Sequence, residues 1–496
     1  MTVQGKAAAA LALHRFGFGP AGDSMAAIAA IAGDPRGALL ADLERPQAGM
    51  IAALIPTSAE SAREVSDFGA EQAAKAKIAA RAKKEAENVT LASNFDCKKP
   101  DGAPCSAPAV ANEIQSPPPP PKPPQPAPPP LPQQLFLQEA KARIDSAIAP
   151  NTGFVERLVW FWSNHFCVSA DKVVGMAGGY EREAIRPHVL GRFADMLQAV
   201  ESHPAMLLYL DNVESMGADS VAGINRDKGL NENLARETME LHTLGVRSGY
   251  TQQDVTSFAN VITGWSWVRP EEPDHGGEFA FIKRLHQPGD QTVLGKRYPD
   301  TGVGQGRAVL ADFARHPATA QHIAEKLARH FVADEPPPPL VAKLAQRFKE
   351  TDGNLREVAK VLVSADESWA PQRQKLKAPS QWIVAMLRLV GTPQVPDNAI
   401  GRIIGAQATL GEALWRPLAP NGWADTTAAW IDGVPHRLDI ANEFANRVAA
   451  NTDPLVLLET GLGPLASADT RQTIGRAESR AQALALLVMT PEFLRS

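Results

Sequence analysis

The sequence predicts an all-α protein: a large multi-helix domain with a proline-rich disordered insertion and a small irregular or hairpin insertion. Three observations predict it. Alanine-rich, helically spaced apolar residues fill residues 5–90, and helical patterning resumes at about Leu135 and runs with short interruptions to Phe493. The interruptions read as helix stops and starts, such as GFGP at 17–20 and Thr251 ahead of the polar first turn of TQQDVTSFANVI. Strand-like composition, rich in Trp, Gly, Pro and β-branched residues, is confined to 265–300.

The N-terminal MTVQGKAAAALALHRFGFGP sets Lys6 ahead of seven small or apolar residues, as a signal peptide would. The run is short, ends at His14 and Arg15, and has no cleavage site, so it reads as the first domain helix of a cytoplasmic chain. His14 and Arg15 would then favour that helix's C-terminus. The run AEQAAKAKIAARAKKEAENV reads as an exposed helix. SPPPPPKPPQPAPPPLPQQ follows, and its prolines cannot donate backbone hydrogen bonds, which predicts polyproline II or disorder. Residues 91–134 therefore divide an N-terminal helical part of the main domain (1–90) from the rest of it (135–496), as a linker or insertion. TGFVERLVWFWSNHFCVS is apolar nearly all round, so it should be a buried helix. YEREAIRPHVLGRFADMLQAVESHPAMLLYLDN reads as two more helices, broken near Pro187 and Pro204. The 265–300 insertion lies over the helical body, and TAQHIAEKLARHFV, the 340–365 region, SQWIVAMLRLVG and the last stretch complete it.

With 44% hydrophobic and 21% charged residues, most of the 496-residue chain can bury a core. A net charge of −5 and scattered basic residues argue against a nucleic-acid partner, and no apolar run reaches the length of a transmembrane span. Cys97 and Cys105 flank KKPDGAP and could pair outside the cytosol, while Cys167 follows the apolar helix and reads as a buried small hydrophobe. GVGQG at 302–306 lacks the lysine and hydroxyl residue of a phosphate loop, and neither GxSxG nor HExxH occurs.

One block is too polar for a simple core helix: NENLARETMELHTLGV at 231–246. On a straight helix Asn233, Glu237 and Glu240 fall within roughly one-sixth of the circumference, with His242 about half a turn away beside Asn231 and Thr238. Glu237 and Glu240 could ligate a metal with groups from another helix, or act as an acid–base pair if burial separates their pKa values. The structural alternative is ion pairing: Arg236 lies four residues from both Glu232 and Glu240, and Arg182 or Arg186 could neutralise a buried carboxylate. His165, in WFWSNHF, reads either as a satisfied core imidazole or as a base or metal ligand facing that block. His286, in the loop RLHQPGDQTVLGKRY, reads as a turn residue or a binding group.

Several blocks together resemble a bacterial family catalogued as domain of unknown function 1800. They are ALALHRFGFGP, LVWFWSNHFCVS, YEREAIRPHVLGRF, SHPAMLLYLDN, NENLARETMELHTLGV with GYTQQDV and TGW, HPATAQHIAEKLARHFV, and APNGWADTTAAW. They follow the family's order along nearly the whole chain, although PNGWAD stands where the family more often has a proline after the tryptophan. The resemblance implies relatives that often look exported and are encoded beside a sulfatase-like family; the lack of a signal here departs from that. Two function classes remain open. One is a metal-dependent hydrolase-like enzyme using Glu237, Glu240 and His165, with Asn233, Arg236, His242 and His286 binding and a divalent metal activating water. The other is a non-catalytic helical scaffold or assembly partner of an exported sulfatase-like protein.

Overall fold

Helix α1 (Val3–Arg15) runs into the GFGP turn, and α2 (Pro35–Leu43) follows, capped by Asp34, whose carboxylate accepts from the Gly37 amide at 2.8 Å. The computed structural model describes residues 3–21, 31, 33–95, 128–224 and 229–496; Cys97, Cys105 and the prolines from 117 to 126 lie outside these. Helix α3 (Ser58–Phe95) is exposed from Gly69 to Asn88, as its charged, alanine-rich composition predicts. Helix α4 (Leu131–Ile148) leads to α5 (Phe154–His165), in which every residue except Asn164 is buried. A short helix, Ala177–Tyr180, passes into a π-turn, Glu181–Ile185, before α6 (Phe193–Glu201) and α7 (Pro204–Tyr209). Pro204 occupies the first turn of α7, and the His203 ring accepts from the Ala205 amide at 3.1 Å.

The polar block folds as α8 (Asn233–Glu237) continuing into a second π-turn, Thr238–His242. Helix α9 (Gln252–Val261) starts with a reciprocal capping box between Thr251 and Asp254. The 265–300 insertion is two antiparallel hairpins: β1 (Trp265–Trp267) with β2 (Phe279–Phe281), and β3 (Gln291–Val293) with β4 (Lys296–Tyr298). Helices α10 (Val303–Arg315), α11 (Pro317–Phe331), α12 (Pro338–Glu350), α13 (Leu355–Ser364), α14 (Pro379–Leu389) and α15 (Asp397–Thr409) follow, with further helices to the C-terminus.

Among the described residues the apolar core falls into a large cluster, a smaller one and a minor one at Ala9, Leu13 and Ile31. The larger gathers α5 (Phe154, Phe161, Trp162), Phe193, Met239, Phe258, Phe313 and Phe331, and the smaller joins Trp382 and Leu389 to C-terminal residues such as Leu458, Leu484 and Phe493. Buried cations tie segments together through backbone carbonyls. Arg15 donates to Ser368 O and Ala370 O, Arg157 to Gly17 O, and Arg388 to carbonyls from Gly19 and 147–151. His14 and Arg15 therefore do not act on the end of their own helix: the His14 ring bonds Gly461 O at 2.9 Å, far along the chain. Among the described residues no helix is long and apolar enough to cross a membrane.

Candidate functional site

The 231–246 block is shorter and more distorted as a helix than its periodicity predicts. Asn231 stays outside, and its side-chain oxygen accepts from the Asn233 amide at 2.9 Å, so α8 starts two residues later. The widened last turn is held by side chains. The Thr243 hydroxyl donates to Thr238 O, five residues back, at 2.6 Å, and the Gly245 amide closes on Met239 O at 3.2 Å. Gly245 adopts φ +86°, and a Cβ there would lie 3.1 Å from His322 Nδ1, so a side chain would be strained and crowded.

The helix ends at His242, so its last carbonyls have no intrahelical donor, and two of them are taken by histidines from other helices. His322 Nε2 lies 3.0 Å from Leu241 O, and His165 Nε2 lies 3.1 Å from His242 O. A carbonyl only accepts, so both rings carry their proton on Nε2. His165 is 1% exposed, and its Nδ1 is buried with no partner among the described residues. The His165 ring stands 6.2 Å from that of His242 and 6.1 Å from that of His322, centroid to centroid. Burial, reinforced by Lys326, keeps His165 well below the usual imidazole range and brings His322 down to about 4, so both are neutral at pH 7.

On the inner side of the block, Thr238 and His242 share one partner that the sequence does not advertise. Glu201, at the end of α6 and 2% exposed, accepts from His242 Nδ1 at 2.7 Å through one oxygen. Its other oxygen lies 3.0 Å from the Thr238 hydroxyl. His242 Nε2 keeps no hydrogen-bond partner among the described residues. This is a carboxylate-oriented imidazole of the kind that sets the tautomer of a general base.

The outer side carries the acidic residues. Glu232 is saturated by Arg236 at 3.0 Å, Gln252 at 2.8 Å and Thr256 at 2.6 Å. Arg236 also reaches Glu240 at 3.8 Å, and the Tyr250 hydroxyl lies against the same carboxylate. The Asn233 side chain donates to Leu210 O at 3.3 Å. Glu237 alone of the three glutamates has no hydrogen bond or ion pair among the described residues. It is half-buried, and that burial pushes its carboxyl above the usual range, against the field of His242. Arg182 and Arg186, the expected neutralisers of this block, are committed elsewhere: Arg182 to Glu139 at 2.6 Å, Arg186 to Glu156 at 2.6 Å and Glu181 at 2.8 Å.

Around these two sides lie Cys167, Tyr209 and Lys326. The Cys167 sulfur donates to Pro420 O at 3.2 Å, and burial pushes its thiol up to about 12, so it is an un-ionised structural group rather than a nucleophile. Lys326 and Glu237 act on the thiol in opposite senses, and burial outweighs both. Tyr209, beside the Cys167 sulfur, is likewise raised by burial. The 419–425 loop is pinned to the end of α5 by reciprocal bonds between the Asn164 amide and the Trp423 backbone at 2.8 and 2.9 Å. Gly422 at φ +75° permits that approach, since a Cβ there would sit 2.3 Å from Asn164 O.

His286 does not join this cluster. It is 6% exposed, bonds Thr263 O at 2.9 Å, packs on Phe281 and lies 3.5 Å from Asp300; the second hairpin packs on α9 and the first on α7, rather than over α8. Three members went unrecognised in the sequence. Glu201 ends an apolar helix with nothing around it to mark it. His322 and Lys326, four residues apart in HPATAQHIAEKLARHFV, were legible only as one helix face. Two cavities are not lined by Glu237: one of about 70 Å³ reaches Cys167, Asn164 and Asp425 beside Trp160, Trp423 and Glu412, and an apolar groove of about 660 Å³ runs between α14, α15 and the 440–452 segment. No group of three His, Cys, Asp or Glu side chains among the described residues is arranged to hold a metal ion.

Four of the sequence blocks quoted above meet at this cluster, from 158–169, 231–246, 316–332 and 419–430. Comparison with curated proteins and with solved structures finds no match. The family model described as protein of unknown function (DUF1800) matches residues 11–495, nearly the full chain, and the protein therefore belongs to that family.

Proposed function

We propose that the protein is a hydrolase-like enzyme working by acid–base chemistry at the turn from Glu237 to His242. The observation that supports this reading is the Glu201–His242 pair, whose imidazole acts electrostatically on the Glu237 carboxyl of the same turn. A buried carboxylate holds the imidazole through Nδ1 at 2.7 Å and leaves Nε2 open. In this reading His242 Nε2 takes a proton from the attacking water, and Glu237, its carboxyl raised by burial, protonates the leaving group. His165, expected as the base, becomes a positioning residue, since its Nε2 proton is spent on His242 O. Glu240 is the weaker acid candidate because Arg236 and Tyr250 engage it. Among the described residues no three His, Cys, Asp or Glu side chains converge here as metal ligands, so the reading uses acid–base groups alone.

The test is a panel of chromogenic esters, phosphates and glycosides offered to the full chain and to Glu237→Gln and Glu201→Gln variants. Turnover that Glu237→Gln abolishes while its circular dichroism and melting stay normal supports the reading. No turnover on any substrate, or turnover indifferent to both changes, contradicts it.

A second reading has its own observation in support. His165, His322, Asn231, Asn233 and Arg236 are all occupied in holding the distorted helix, as a scaffold would use them. The partner would then be the sulfatase-like protein that the family resemblance implies. Co-purification of such a protein by the wild type and equally by Glu237→Gln favours the scaffold.

A further inference from the structure

We infer that the smaller cavity beside α5 is a binding site for a small zwitterion, the ammonium–carboxylate head of a free α-amino acid. At about 70 Å³ it has room for roughly five to seven water-sized groups. It lies where α4, α5, α14 and α15 meet the 412–430 segment, away from the acid–base turn, whose Glu237 is not on its wall. Ala424 lines it and is exposed, so the wall meets the surface there.

Unused hydrogen-bonding capacity on buried side chains singles this cavity out. Arg143 is 7% exposed, Gln381 9% and Gln407 5%, and all three line it. Among the described residues the Arg143 guanidinium spends only its Nε, on Glu181 at 2.8 Å. Its central carbon lies 4.0 Å from the centre of the Trp160 ring and 5.6 Å from that of Trp415, which fixes the plane of the group. Both terminal nitrogens are left as a fork. The Gln381 and Gln407 amides make no side-chain hydrogen bond among the described residues, and they are not sealed in protein, so the cavity is what they face.

The fourth polar group is Glu412, half-buried on the same wall. Its oxygens accept only from Ser380, from the backbone amide at 2.7 Å and the hydroxyl at 2.8 Å, and no cation pairs with it among the described residues. Burial raises its carboxyl against the pull of Ser380, Arg143 and Arg437. The remaining acid on the wall is already matched, since Asp425 meets His330 at 2.6 Å and Lys375 at 3.1 Å.

One small cavity therefore offers a cation with free donors, an anion without a counter-ion and two amides. A simple anion would meet Arg143 and be repelled by Glu412, and a simple cation would meet the reverse. A ligand carrying both signs satisfies both. The nitrogen, Cα and carboxylate of an amino acid fit the volume, whereas a pyranose ring is too large for it. The carboxylate takes the Arg143 fork in two parallel bonds, the ammonium takes Glu412, and the glutamine amides match the donors and acceptors left over.

Saturation-transfer NMR of the glycine α-protons, with the full chain in amine-free buffer at constant ionic strength, tests this. The expected result is saturable glycine binding, with acetate and glycinamide, which each lack one of the two charges, at least about tenfold weaker. Glu412→Gln should weaken glycine by a similar factor while circular dichroism stays normal. Gln407→Leu, which removes no charge from the fold, should also weaken it and carries the test if Glu412→Gln does not fold. The inference is overturned by the absence of saturable binding, which would leave the cavity to water. It is equally overturned by acetate, glycinamide or glycerol binding as tightly as glycine, or by glycine binding unchanged in the folded variants.

Discussion

Two buried polar networks sit beside α5, and they differ in how completely they are satisfied. In the first, the fully buried Arg186 bonds Glu156 through two nitrogens at 2.6 and 2.9 Å, and bonds Glu181 at 2.8 Å. Glu181 also accepts from Arg143 at 2.8 Å, Ser163 at 2.7 Å and Trp415 at 3.2 Å. Two carboxylates face two guanidiniums, and all four carboxylate oxygens have donors. In the second, His165 Nδ1 is buried with no partner among the described residues, and the half-buried Glu237 carboxylate makes no hydrogen bond or ion pair among them. Native interiors leave few polar groups unmatched, so the orphaned His165 Nδ1 sets this network apart from the saturated first one. Both networks use a π-turn, at 181–185 and at 238–242, yet only the second leaves its chemistry open.

If the first network is structural, breaking it should cost most. Arg186→Met strands Glu156 and Glu181 in the core and should lower unfolding stability by about 3–5 kcal/mol, measured by denaturant titration. The same network makes the fold acid-sensitive. Burial alone would raise Glu181, but Arg143 and Arg186 outweigh it and hold its carboxyl down to about 2, below the unfolded value. Its contribution is therefore present above about pH 4.5 and lost as pH falls toward 2, which thermal melts across that window would detect. Glu201→Gln should cost less, about 1–3 kcal/mol, since His242 and Thr238 lose a charged acceptor but keep a neutral one. Gly422→Ala should cost about 1–2 kcal/mol by straining the backbone and pushing the 419–425 loop off Asn164. Glu237→Gln should change stability least, within about 0.5 kcal/mol.

Much of this was legible in the sequence for physical reasons. Helical periodicity, the proline breaks, the Thr251 cap and the apolar α5 are local signals, and local signals are what a sequence carries directly. The composition of 265–300 announced an irregular or hairpin insertion for the same reason. The distortion of the polar block was hidden, because a straight-helix projection assumes even turns, while the π-turn depends on His165 and His322 arriving from distant helices to take its carbonyls. Thr238 and His242 do share a side, as their spacing suggests, but the reason is Glu201, some forty residues away in the chain. Arg182 and Arg186 were plausible partners by charge alone; their actual partners follow from packing beside α4 and α5, which charge does not encode. His286 had a loop's composition but a buried hairpin's environment.

The separation of a structural network from a chemical one is tested most directly by the unfolding free energy of Glu237→Gln against wild type between pH 5 and 8. Burial raises the Glu237 carboxyl, so its stabilising contribution is complete below the unfolded value near 4.5 and is lost as pH rises through the folded value. Glutamine removes a charge the fold disfavours. The variant should therefore equal or exceed wild type at pH 7, with the difference shrinking toward pH 5. A loss of more than about 1 kcal/mol at pH 7 would show that Glu237 holds the fold together and contradict its assignment to chemistry.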